Sequence, residues 1–315
     1  MTSGCLQVAQ NGMRDCQSLT QEDWQALHRE RNIITASEVG TILGVNPYKS
    51  PYTLWAEKTG RVERSEGSLH TRIGKALEHL IADEYQAQTM RPIYDPGDYA
   101  VWQHPDLEWL FCTPDRFAIQ ADTPDSYVAR VVELKWGGDY TRKAWDTDNE
   151  AAPLAYQVQN QIQMACVGLD LGSVAGIIGG TFINTDTRLN AAFLKAALRR
   201  IDEFRQMVLR DEAPPVDDSE NTYRTLKALH PKDNGNTVIL NTEDSSAVHR
   251  LKLVKDHISS LEKEELGLKN LVLAGIGDNT FAQTCDGALK LSYKWFERKG
   301  YEVKPTEGRT LRFCK

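Results

Sequence analysis

Three residues of this chain have types and spacing suited to chemistry at a phosphate: Asp115, Glu133 and Lys135. Each half of the set rides on an apolar run that reads as a β-strand, WLFCTPD and then ARVVELKW. Side chains alternate across a strand, so Glu133 and Lys135 point to the same face. If the two strands pair as neighbours, Asp115 is brought near both. Two carboxylates and one amine at a strand edge make a compact Mg²⁺ site with a lysine to position water, the chemistry that hydrolyses a phosphodiester. The pattern has decoys in the same chain: Pro105-Asp106, Pro124-Asp125 and Glu302-Val303-Lys304. Context separates them. Asp115 ends an apolar run, Asp106 precedes one, and Asp125 sits in a polar turn. Ordinary hairpin charges would use the same residue types, so the set needs support from elsewhere.

Two further groups supply it. Glu78 falls between Leu77 and Ile81 on the apolar side of a helical pattern that includes Ile73, Leu80 and Tyr85. A carboxylate there needs a partner. Lys75 is one candidate and a metal ion is the other. Residues 156–163, YQVQNQIQ, place Gln157 and Gln161 on one helix face and Gln159 and Gln163 on another. Amides can hold a water, a phosphate oxygen or a base edge without adding charge. A solvated polar face is the competing reading for Gln157 and Gln163. RIGKAL around Lys75 is not a nucleotide-binding loop, because Ala76 stands where a Ser or Thr would bind Mg²⁺.

These residues must be positioned by a larger frame. The chain has 315 residues, with 41% hydrophobic and 26% charged, ordinary values for a globular protein. No run approaches a membrane span, and no apolar secretion segment is visible near the start, so a cytoplasmic protein is expected. The six cysteines are scattered, which points to reduced thiols rather than a zinc or iron–sulfur site. A net charge of −7 argues against nonspecific coating of nucleic acid but not against a focused channel. Helices are expected from Thr20, from Thr35 or Ser37 as cap up to Gly44, from Pro51 to about Lys58, across GSLHTRIGKALEHLIADEYQAQT, across PLAYQVQNQIQMACVGLD to Gly168, and across NAAFLKAALRRIDEFRQMVLRDE. Short strands fill residues 93–135, and SVAGIIGGTFIN reads as a strand or strand pair.

The organisation follows: a flexible tail at 1–19, a core at 20–211, and an extension at 212–315 beyond the acidic, proline-bearing APPVDDSEN. In the extension, Ala247, Leu251, Val254, Ile258, Leu261, Leu268 and Val272 keep a four-three spacing broken by Glu265. That is a coiled-coil-like helical arm or hairpin leg, or an amphipathic helix packed on the body. Residues 286–315 carry eight basic and four acidic side chains, a net +4. Tyr293, Trp295, Phe296 and Tyr301 interleave with Lys294 and Lys299, which suits either stacking on single strands or the packing of a small β-unit.

The ordered blocks ITASEVGTILGVNPYKSPYTLWAEKTG, GKALEHLIADEY, CTPDRF, VVELKW and YQVQNQIQMACVG resemble phage-type recombination exonucleases, the lambda exonuclease and YqaJ-like branch of the PD-(D/E)xK nuclease superfamily. The resemblance covers roughly residues 29–168. It implies an α/β fold: a restriction-endonuclease-like core with a mixed central sheet flanked by helices, to which the chain adds a C-terminal helical arm and a small β-unit. It implies Glu78, Asp115, Glu133 and Lys135 as the catalytic set, with Gln161 and also Gln159 matching the glutamine motif. Ser37 matches a serine that binds a 5′-phosphate, with Arg31 or Arg29 as the arginine upstream. The expected activity is Mg²⁺-dependent 5′-to-3′ digestion of double-stranded DNA from its ends, leaving 3′ overhangs for annealing-type recombination. Glu78, Asp115, Glu133 and the Leu134 backbone carbonyl would hold two Mg²⁺ ions, with Mn²⁺ as a substitute. A homotrimer and a single-strand annealing protein are implied partners, in the cytoplasm of a bacterial or phage-infected cell. An endonuclease or nickase on the same core, and a non-catalytic DNA-binding assembly module, are the alternatives.

Overall fold

The computed structural model describes residues 17–64, 67–120, 127–145 and 151–297. It divides into two compact units, 1–229 and 230–315. The first opens with β1 (Gln17–Ser18) and α1 (Gln21–Arg29), where the Thr20 hydroxyl caps the helix by accepting from the Asp23 N–H at 3.1 Å. β2 (Ile34–Thr35) runs straight into α2 (Ala36–Ile42). Thr35, not Ser37, is the cap of α2, and its N–H donates to the Glu38 carboxylate at 3.0 Å. α3 (Pro51–Lys58) starts where Ser50 accepts from Thr53 N–H, and it stops before Gly60 at φ +72°. α4 (Leu69–Thr89) is the predicted long helix.

Strands then alternate with turns: β3 (Ile93–Tyr94), β4 (Ala100–Gln103), β5 (Leu110–Cys112), β6 (Arg116–Gln120) and β7 (Tyr127–Gly137). A 3₁₀ turn, Asp139–Ala144, leads to α5 (Leu154–Val167), which Gly168 ends at φ +87°. SVAGIIGGTFIN spans the turn between β8 (Leu171–Ile178) and β9 (Thr181–Arg188), an antiparallel pair. α6 (Ala191–Arg210) and α7 (Glu220–Leu229) complete the unit.

The predicted mixed central sheet flanked by helices is present. Five strands run in the order β3-β6-β7-β8-β9, with β7 and β8 parallel and the other neighbours antiparallel. α5 makes the crossover that a parallel pair requires. Alternation along β7 splits the core. Val132 and Leu134 pack with Ile81 and Tyr85 of α4, while Val131 joins the cluster of Val158 and Ile162 of α5. Each of these buried side chains contributes roughly 1.5–3 kcal/mol. A second sheet, β1-β4-β5-β2, belongs to the α5-side cluster through Trp102 and Leu110.

Four expectations need correction. WLFCTPD does not pair with the ELK strand. Its strand, β5, ends at Cys112 and pairs with β4 and β2, because Pro114 brings no N–H to a ladder. β6 is the partner of β7, and it starts one residue after Asp115. The segment after the proline-bearing stretch is the helix α7, and it docks on α3: Thr222 donates to Ser50 at 2.8 Å, and the Thr53 and Thr225 hydroxyls meet at 2.8 Å. The first unit therefore runs past 211 to Leu229. Gln17 and Ser18, expected in the tail, pair with Val101 and Ala100, and the rest of the tail lies outside the described residues. In the second unit, the four-three pattern lies on one unbroken helix, α8 (Thr242–Ile276), of which Ile276 is the one buried residue described. The hairpin β10 (Phe281–Gln283) and β11 (Lys290–Ser292) follows, with Tyr293, Trp295 and Phe296 exposed, while Lys299 and Tyr301 lie outside the described residues.

Asp186 of β9 ties α4 to the sheet. It accepts from Arg91 through both oxygens at 2.9 and 2.8 Å and from Ser173 at 2.8 Å. Burial alone would raise its pKa, but these donors and Asn184 pull it down to about 2. A carboxylate depressed in the folded state stabilises above its unfolded pKa, and that stability is lost as pH falls. Asp186→Asn is therefore expected to cost about 1–2 kcal/mol at pH 7, discounted for partial exposure, with the difference vanishing between about pH 4 and pH 2. Urea unfolding at stepped pH measures it.

Candidate active site

The site forms where β6 begins beside the middle of β7. The Arg116–Val132 register places Asp115 opposite the ELK segment. Asp115 Oδ2 accepts from the Leu134 N–H at 2.8 Å. Glu133 and Lys135 lie on the α5 face of β7. The Leu134 side chain lies on the opposite face, in the α4-side core. Glu133 is 1% exposed. Its carboxylate takes the Lys135 ammonium, the Gln159 amide at 2.6 Å and the Gln163 amide at 2.5 Å. A buried charge survives only with such donors. Behind this cluster, Asn160 donates to Gln163 Oε1 at 3.2 Å and accepts from Thr187 at 2.6 Å. Gly172 makes room for it, since a Cβ there would lie 1.9 Å from Asn160 Oδ1.

Glu78 approaches from α4. Lys75 donates to it at 2.7 Å and to Asp98 at 2.8 Å, so the lysine partner read from the sequence is used. Glu78 also senses Asp115. Burial, then the Asp115 charge, pushes its pKa above the usual carboxylate range despite Lys75. Burial and Asp115 likewise push Glu133 up to about 7, against the pull of Lys135 and Gln163. Burial would discharge Lys135, but the charges of Glu133 and Asp115 outweigh it and hold the ammonium above the ordinary lysine value.

Three oxygen donors of one sign, two of them raised by the third, suit a hard divalent cation that would relieve their repulsion. Among the described residues, no group of three His, Cys, Asp or Glu side chains stands closed around one point as it is. Both Glu133 oxygens are engaged by protein donors, so binding an ion would exchange some of these contacts.

The remaining predicted residues fall in three places. Ser37 is exposed, touches the Thr35 hydroxyl at 3.1 Å, and lines a cavity of about 160 Å³ with Gln159 and Tyr156. That cavity shares Tyr48, Thr141, Trp145 and Tyr156 with a larger one, about 550 Å³, that contains Lys135. Arg31 pairs with Asp211 at 2.7 Å, beside Arg61, and among the described residues it makes no contact with Ser37. Arg29 ends α1 and is exposed. Gln161 also has a different task from the expected one. It donates to the Arg188 carbonyl and accepts from the Asn190 N–H, both at 2.8 Å, joining α5 to the chain leaving β9. Two residues along a helix is a turn of about 200°, so Gln161 cannot share the face of Gln159 and Gln163. Gln163, with a solvated face as its competing reading, is fully buried. The signal for it was present: Gln163 stands between Ile162 and the apolar run MACV at residues 164–167, in the apolar C-terminal part of the helix. A polar side chain in such a helix has a partner.

The mixed sheet flanked by helices carries an acid just before one strand and an acid–x–lysine on its neighbour. Residues 23–170 match the family model described as the YqaJ-like viral recombinase domain. It is 26% identical over 263 residues to the uncharacterized protein YqaJ of Bacillus subtilis strain 168, covering 81% of this chain and 77% of that one. That share exceeds the length of the first unit, so the similarity continues into the second. Among solved structures, an alkaline exonuclease from Laribacter hongkongensis superimposes with a TM-score of 0.46 at 18% identity, covering 61% of this chain and 94% of that one. A phage-related exonuclease from Haemophilus somnus 129PT gives 0.44 at 11% identity, covering 57% and 96%. Among the described residues no helix is long and apolar enough to cross a membrane.

Gln161→Leu is expected to cost about 1–3 kcal/mol in urea unfolding, because the Arg188 carbonyl and Asn190 N–H lose their partner. A cost near zero would contradict the structural task given to Gln161.

Proposed function

We propose that this protein is a Mg²⁺-dependent exonuclease that digests the 5′-ended strand of double-stranded DNA and leaves 3′ overhangs. The observation that carries the reading is the meeting of Asp115, Glu133 and Lys135 across β6 and β7, next to a cleft that runs toward Ser37. Glu78, Asp115, Glu133 and the Leu134 carbonyl would hold two Mg²⁺ ions, with Mn²⁺ able to substitute, and the bound metal supplies Lewis acidity at the scissile phosphate. Lys135 stays protonated beside Glu133 and Asp115. It therefore orients the attacking water and offsets charge on the phosphorane rather than taking the proton itself. Gln159 and Gln163 fix the Glu133 carboxylate without adding charge. Ser37 offers a hydroxyl to a terminal phosphate, a contact that reads an end and not a sequence.

The recombinase description of residues 23–170 supports a role in preparing DNA ends for annealing. A homotrimer threaded by duplex and a single-strand annealing partner belong to the same proposal. So does the cytoplasm as its site of action.

Duplex labelled at the 5′ or the 3′ end, together with a covalently closed circle, tests the reading. Wild type with Mg²⁺ should release the 5′ label stepwise from 5′-phosphorylated duplex and leave the circle intact. Lys135→Ala should lower kcat by roughly 10²–10³-fold. Undiminished digestion by Asp115→Ala, or cutting of the circle, would contradict it.

A further inference from the structure

The β10–β11 hairpin belongs to the second unit, and its register sorts its side chains onto two faces. Opposed residues of an antiparallel pair share a face. Phe281 opposes Ser292 and Gln283 opposes Lys290, so these four lie together, while Ala282 and Leu291 lie on the other side. Lys294 reaches the first face, because its Nζ sits 5.2 Å from the centroid of the Phe281 ring. That face carries a ring, two ammonium groups, an amide and a hydroxyl, and no carboxylate. Phe281 is 66% exposed, and both lysines are exposed beside it. The acid of the connecting turn is directed elsewhere: Asp286 accepts from the Thr284 hydroxyl at 2.5 Å and from the Ala288 N–H at 3.0 Å. The turn is fixed by two further bonds, from Thr284 N–H to the Leu289 carbonyl and from Leu289 N–H to the Thr284 hydroxyl, both at 3.1 Å. Tyr293 N–H donates to the Thr280 carbonyl at 2.9 Å, which extends the ladder by one pair. Two residues on, Trp295 is 86% exposed. Exposed rings gathered in this way mark a surface that meets a partner.

We propose that this hairpin face binds single-stranded DNA, with a base stacked on Phe281 and backbone phosphates held by Lys290 and Lys294. A matching ligand must alternate flat apolar surfaces with negative charge. A single strand does so. A duplex hides its base faces against one another and presents its phosphates alone. A lysine within reach of a ring can hold the phosphate while the ring holds the base, and stacking tolerates any sequence because every base has a π-face. The local charge has the required sign: residues 286–315 carry a net +4 in a chain whose total is −7. The choice of DNA over RNA rests on the exonuclease reading, which leaves a 3′ single strand as its product. The binding itself does not depend on the acids of the first unit.

The test is fluorescence anisotropy of a labelled oligothymidylate with the full-length protein in EDTA, where metal-dependent cleavage does not consume the probe. Phe281→Leu should weaken binding roughly 5–150-fold, the value of one base–aromatic stack, and Phe281→Tyr, which keeps the ring, should bind as wild type does. Lys290→Gln and Lys294→Gln together should lower the slope of log affinity against log salt by about 1.4. An oligothymidylate carrying 5-iodouracil should photocrosslink within residues 281–295. Wild-type affinity in Phe281→Leu, equal losses in the Leu and Tyr variants, an unchanged salt slope, or cross-links confined to the first unit would overturn the proposal. Tighter binding of an oligouridylate or a blunt duplex through the same residues would overturn single-stranded DNA as the occupant. Failure of wild type to digest duplex with Mg²⁺ or Mn²⁺ would instead overturn the exonuclease reading, which the metal-free binding measurement does not need.

Discussion

The buried carboxylate of Glu133 is the constraint on which the rest of the site depends. A charge at 1% exposure must be paired, and the fold supplies the partners from two elements at once: Lys135 from its own strand, and Gln159 and Gln163 from α5. This is why the crossover helix carries amides on its sheet-facing side. Asp115 then cannot lie far away, because it accepts from the N–H between Glu133 and Lys135. The cluster is electrostatically crowded by construction. Burial, and then the Asp115 charge, raise both glutamates, while Glu133 and Asp115 hold the Lys135 ammonium above its ordinary value.

Much of this frame was legible in the sequence, because local signals and tertiary structure agree. Thr20, Ser50, Gly60 and Gly168 punctuate helices as their cap chemistry dictates, and the long helix before residue 90 appears with its apolar face on the sheet. The acid–x–lysine pair lies on one face because strand alternation leaves no choice. What escaped was set by contacts between distant segments. Pro114 moved the strand partner of the ELK segment from β5 to β6, which no periodicity reveals. Among the glutamines, helix face separates Gln163, bonded to Glu133, from Gln161, bonded to backbone, but which face meets the sheet acid is set by the fold. Arg31 is spoken for by Asp211, which lies 180 residues away in the chain. α7 follows a stretch that reads as a linker, yet hydroxyls pair it with α3.

The charge distribution reconciles an acidic chain with a polyanionic substrate. Carboxylates concentrate at Glu78, Asp115 and Glu133, where on the proposed reading they would face a cation rather than a phosphate. The walls that would meet phosphates carry hydroxyls, amides, rings and one lysine. The second unit keeps the apolar residues Val254, Ile258, Leu261, Leu268 and Val272 of α8 exposed along about 27 Å of helix. The similarity to YqaJ reaches into this unit as well as the first.

The central claim is that Asp115 and Glu133 are drawn together to hold a divalent cation against Lys135. Anomalous scattering from crystals of the protein soaked in Mn²⁺ tests it most directly. The account predicts a peak in contact with both carboxylates, with Glu133 released from at least one of its present donors and Lys135 still alongside. A fully occupied Mn²⁺ site elsewhere on the molecule, with the Asp115–Glu133 cleft empty, would contradict it.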